Sequence, residues 1–112
     1  MGADITFRNE KEEFYFRDSY NLAELAPIAK LSYWLYGKGG NLTRYKEFFK
    51  KMSLIEDKEI EAYVHKLFKK DRKMIASDDT EEYWIKAFKK KRNDIRNHIE
   101  IIMSATSCEW SV

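Results

Sequence analysis

Two strictly alternating runs stand at the head of the chain, and no other feature constrains the fold as much. In residues 3–8, Ile5 and Phe7 share one side while Thr6 and Arg8 take the other. After the polar stretch Asn9-Glu10-Lys11-Glu12, residues 13–17 repeat the pattern with Phe14 and Phe16. Period-two alternation across a short polar connection predicts a β-hairpin over residues 1–17. A two-stranded hairpin is marginal alone in water, so its Ile5/Phe7/Phe14/Phe16 face needs helices beneath it.

From residue 21 onward the apolar period is that of helices. Asn21-Leu22-Ala23-Glu24 has the form of a capping box, and Pro27 breaks the helix it would start. A second short helix is expected from Pro27 to about Tyr36, stopped by Gly37. Gly39-Gly40-Asn41 reads as a loop ending in an N-cap. The next helix, residues 42–52, carries Tyr45, Phe48, Phe49 and Met52 at i, i+3, i+4, i+7. Ser53-Leu54-Ile55-Glu56 has the spacing of a full capping box. It predicts a helix from there to about Met74, with Ile60, Tyr63, Val64, Leu67 and Phe68 on its apolar face. Acidic residues 78–82 then open a last helix to about Met103, whose face collects Trp84, Phe88, Ile95, Ile99 and Ile102. Residues 104–112 are expected to form a loose tail unless Trp110 pins them to the body. The expected fold is α+β, mostly α: an N-terminal hairpin packed on a bundle of about four helices over residues 21–103. The 112 residues show no repeat and no linker, which suits one domain.

The charges nearly cancel: 21 Lys and Arg against 19 Asp and Glu leave a formal +2, so no global field steers nucleic acid or a membrane. Locally, the acids gather at helix starts (Glu56, Asp57, Glu59; Asp78, Asp79, Glu81, Glu82). Lys50-Lys51 and the basic residues of 66–73 sit toward helix ends, a layout that complements the helix dipole. Only Lys89-Lys90-Lys91, in mid-helix, escapes that account, and it is the candidate for binding a phosphate backbone. The single cysteine, Cys108, rules out an intramolecular disulfide and fits a reducing compartment, the cytoplasm of a bacterial host cell. The first residues lack the basic and apolar runs of a secretory signal, and residues 22–36 are too short and too interrupted to span a bilayer. His65, His98 and Cys108 make no metal-ligand spacing, and no Walker, dinucleotide or nucleophile-elbow motif occurs, so no metal or cofactor is expected.

Arg92-Asn93-Asp94-Ile95-Arg96-Asn97-His98 resembles the Arg-then-His signature of HEPN ribonucleases. In that family an arginine and a histidine four to six residues apart act on RNA across a dimer interface, and a polar residue, here Asn93, often follows the arginine. The resemblance implies Arg92 and His98 as a catalytic pair in a homodimer. The helical period gives Arg92 another role, since it falls inside the apolar stripe between Phe88 and Ile95. On a straight helix it points roughly 120° away from His98, about 9 Å apart in rise. A charge in such a stripe needs a partner, and Asp71, close to the line through Val64, Leu67 and Phe68, is the expected one.

The segment Ser32-Tyr33-Trp34-Leu35-Tyr36, with Ile28 and Leu31, is apolar nearly all round a helix. It is either a central helix or a source of aromatic anchors for a partner's pocket. Met1-Gly2-Ala3-Asp4-Ile5, Tyr15-Phe16-Arg17-Asp18-Ser19-Tyr20-Asn21 and Leu31-Ser32-Tyr33-Trp34 resemble a family of small proteins from phages and prophages of Gram-positive bacteria. That resemblance covers about the first 36 residues and implies a protein that binds and inhibits a host or defence protein. The expected function is non-catalytic binding of a bacterial protein through Tyr33, Trp34, Tyr36, Lys89 and Lys90. The alternatives are a HEPN-like nuclease and nucleic-acid binding through residues 89–91.

Overall fold

A computed structural model describes residues 2–19, 25–29, 41–70 and 79–111. Among them the hairpin is present as β1 (Gly2–Arg8) and β2 (Glu13–Ser19). Its connection is built by Asn9, whose Oδ1 accepts the backbone N–H groups of Lys11 at 2.9 Å and Glu12 at 2.6 Å. Such a side-chain turn substitutes for the backbone bonds a tighter hairpin would make. The antiparallel register sets Ile5 opposite Phe16 and Phe7 opposite Phe14, so the four apolar residues share one face.

The end of the chain departs from expectation. Residues 107–111 are not a loose tail but strand β3 (Ser107–Ser111), antiparallel to β1, giving the sheet order β2-β1-β3. Trp110 lies opposite Ile5 and Cys108 opposite Phe7, so both join the apolar face. A third strand satisfies the second edge of β1 and extends the surface that the helices cover.

The described helices are α1 (Leu42–Ser53), α2 (Asp57–Lys70), α3 (Glu81–Asn97) and α4 (Ile99–Ser104), with α2 packed on α3. The fold is α+β and mostly α, with one core of residues from the sheet and every helix. Phe49 of α1 is its hub: the rings of Phe7 and Phe16 meet it edge-on, with centroids at 5.0 and 5.3 Å. Asn41 caps α1 as expected, accepting the N–H of Arg44. Of the stretch expected to hold two short helices, only residues 25–29 are described; there Leu25 and Ala26 are buried in a turn.

Two helix boundaries differ from the sequence reading, each for a local reason. Ser53 does not open α2; it closes α1, its hydroxyl donating to the carbonyl of Lys50. The capping bond forms three residues later, where Glu59 reaches back to accept the N–H of Glu56 at 2.7 Å. The expected last helix is two, broken at His98. In an unbroken helix the His98 N–H would bond to the Asp94 carbonyl. Here the His98 ring nitrogen Nδ1 takes that carbonyl at 2.7 Å, and the His98 N–H turns to Ile95. A side chain competing for the ladder bends the helix.

Candidate partner-binding face on helix α3

Helix α3 has two faces with different chemistry. Thr80 caps it by accepting the N–H of Tyr83, and Glu81 and Glu82 fill its first turn. Trp84, Phe88, Arg92 and Ile95 form the buried face. Arg92 is only 4% exposed. Its Nη1 donates to the Ile55 carbonyl at 3.1 Å and lies 2.6 Å from Asp57 Oδ1. Its Nε and Nη2 both donate to Asn93 Oδ1, at 3.1 and 3.0 Å. One turn on, Arg96 donates to the carbonyls of Ser53 and Ile55. The two guanidinium groups thus clamp the turn between α1 and α2, where helix-end carbonyls lack partners of their own.

The carboxylate beside Arg92 among the described residues is Asp57, and the expected partner, Asp71, lies outside them. The antiparallel register of α2 and α3 explains the choice. His65 meets Glu81 at 3.1 Å near one end, and Lys89 comes within 3.9 Å of Asp57 at the other. Arg92 therefore lies level with the first turn of α2. The hydrogen bond from Arg92 holds the Asp57 carboxyl below its usual range, with weaker help from nearby Lys89 and Arg96, although partial desolvation opposes it.

His98 engages a different element. Its ring stacks on Phe14 of β2, centroids 4.7 Å apart, and Nδ1 is held by the Asp94 carbonyl. The Arg-x5-His spacing thus delivers one side chain to the α1–α2 turn and the other to the sheet.

The opposite face of α3 turns to solvent. Lys86 and Lys90 stand one turn apart, with Lys89 and Lys91 on the two flanks. Lys89 is drawn toward Asp57, and Lys91 lies over the ring of Phe16 at 5.9 Å. Lys86 reaches Glu82 only at 3.9 Å, and Lys90 has no carboxylate partner among the described residues. An open depression of about 650 Å³ runs along this face, its described lining including Lys86, Lys89, Lys90, Asn93 and Asn97. Tyr83, 63% exposed, continues the same row one turn toward the N-terminus. The aromatic anchors expected from the sequence, Tyr33, Trp34 and Tyr36, lie outside the described residues. Tyr83 is not among those expected anchors; its signal in the sequence is the 3-4 spacing of positions 83, 86 and 90.

The outer face of the sheet offers less. Arg8 pairs with Glu13 and Glu109, and Asp4 accepts from the Tyr15 hydroxyl, so its charges are matched across strands. Among the described residues no group of three His, Cys, Asp or Glu could hold a metal ion, and no helix is long and apolar enough to cross a membrane. Comparison with family models, with curated proteins and with solved structures finds no match to the chain.

Proposed function

We propose that the protein is a non-catalytic protein-binding module whose partner docks on the solvent face of α3. The observation that carries this reading is the division of α3 into a committed and an open face. Every nitrogen of the Arg92 guanidinium already has an acceptor within the protein, whereas Lys86 and Lys90 project from the other side. A nuclease would need Arg92 at a developing phosphorane charge, and withdrawing it would cost the α1–α2 turn its bonds to Ile55 and Asp57. The partner is a bacterial protein met in the cytoplasm. The resemblance of the first 36 residues to small phage proteins extends the reading to inhibition of a host or defence factor.

The test is capture from bacterial lysate with immobilised wild type and Lys90→Glu, chosen because Lys90 has no carboxylate partner to lose among the described residues. A protein retained by wild type and lost by the variant, at equal melting temperature, supports the reading. RNA cleavage by purified protein, abolished by His98→Ala with the fold intact, would replace it with the nuclease.

A further inference from the structure

We propose that the occupant of this face is an acidic α-helix of the partner, laid along the row Tyr83, Lys86, Lys90, Asn93 and Asn97; this rests on the protein-binding reading above. The positions step by 3, 4, 3 and 4. They therefore stay within one arc of the helix and span about 21 Å at 1.5 Å per residue.

The row is polarised toward donors. Lys86 and Lys90 offer ammonium groups about 6 Å apart in rise. Asn93 spends its carbonyl oxygen on two N–H groups of Arg92, which leaves its NH2 to face outward. The complement is a set of carboxylates one helical turn apart, the spacing a second helix provides at i and i+4. Tyr83 supplies apolar area at the end of the row.

A helix fits better than a nucleic acid because the row is not uniformly basic. Glu82 lies beside Lys86, and Asp94 borders the row next to Asn93, tied to His98 at 3.4 Å. A phosphate backbone carries negative charge at every step and would meet both acids. A protein helix can set a carboxylate against Lys90 and a lysine against Asp94. The arginines best suited to bidentate phosphate contact, Arg92 and Arg96, are turned to backbone carbonyls instead.

The experiment measures fluorescence anisotropy with two labelled alanine-based helical peptides of equal length. One carries Glu at i, i+4 and i+7, and the other Gln at the same positions; a single-stranded RNA and a DNA duplex complete the probes. The Glu peptide should bind about tenfold tighter than the Gln peptide. Lys86→Gln/Lys90→Gln should lower its affinity about tenfold, and Tyr83→Ala severalfold, with circular dichroism and melting unchanged. Equal binding of the two peptides, no binding of either, or indifference to the lysine variant would each overturn the proposal. Tighter, lysine-dependent binding of RNA or DNA would assign the row to nucleic acid. Lysate capture separates the two levels of inference. A protein retained equally by wild type and Lys86→Gln/Lys90→Gln overturns the row but leaves the binding module standing; nothing retained by wild type ends both.

Discussion

Replacing Arg92 by alanine is the perturbation that tests the α3 division most directly. The side chain is 4% exposed, and its Nη1 bond to Ile55 is buried. A hydrogen bond from a charged donor contributes about 1.5–3 kcal/mol, and truncating a long buried side chain adds a packing loss. The Ile55 carbonyl keeps its bond from Arg96, which limits the damage. The expected loss is about 3 kcal/mol, measured by urea unfolding followed through tryptophan fluorescence. Arg92→Lys should recover only part of it, because one ammonium cannot serve Ile55, Asp57 and Asn93 in their fixed directions. The ion pair with Asp57 contributes in a pH-dependent way. Asp57 is 58% exposed, so solvent weakens the pair. Its carboxyl is depressed by Arg92 in the folded state. Its contribution is therefore complete above the ordinary carboxylate pKa of about 4 and is lost as pH falls through the lower folded value. Wild type and Asp57→Asn should differ in stability at neutral pH and converge in acid. A loss below about 1 kcal/mol for Arg92→Ala would show that the guanidinium is available in solution, and the case against a catalytic arginine would fall with it.

Trp110→Ala should cost about 2 kcal/mol through lost packing of β3. It should also speed alkylation of Cys108, whose thiol burial now pushes up; an unchanged alkylation rate would mean that β3 does not depend on Trp110. Glu59→Ala should cost about 0.5–1 kcal/mol in chemical denaturation and Ser53→Ala less at its hydroxyl, because the α2 cap is made by Glu59. His98→Ala should raise helical circular dichroism slightly, since the Asp94 carbonyl is returned to the ladder; a fall would refute the side-chain account of the break.

The periodic features were legible because they are local. Ile5, Phe7, Phe14 and Phe16 announce their sheet face by alternation, and Tyr45, Phe49 and Met52 their helix face by spacing. The misread features were decided by groups far apart in sequence or by competition between equals. Ser53-Leu54-Ile55-Glu56 and Glu56-Asp57-Lys58-Glu59 both offer a capping glutamate. What selects the second is the demand of Arg92 and Arg96, about forty residues away, for the Ser53 and Ile55 carbonyls. A helix running through Ser53 would consume those carbonyls in its own ladder. β3 has only Cys108 and Trp110 as apolar residues, and its pairing to β1 spans the whole chain. Arg92 was legible as a buried charge from the stripe alone, but its partner depends on the α2–α3 register, which no single stripe specifies.

The same clamp occupies one face of α3 and leaves the opposite face open to the proposed binding. Two arginines held by two backbone carbonyls, Ser53 and the shared Ile55, and by a carboxylate fix the rotation of α3 about its axis. Fixing that rotation also fixes which lysines point outward, and Asn93 transmits the constraint, because its oxygen is bound to the buried guanidinium while the residue itself is exposed. Asn93→Ala should therefore act twice: a stability loss of about 1 kcal/mol from the Arg92 side, and weaker binding of the Glu peptide from the solvent side. Asn93→Asp would keep the acceptor for Arg92 while replacing the outward donor with a negative charge. If the row is read by an acidic helix, Asn93→Asp should retain the stability of wild type and lose peptide affinity more than Asn93→Ala. The reverse order in the binding assay would mean that the outward donor is not part of the recognition.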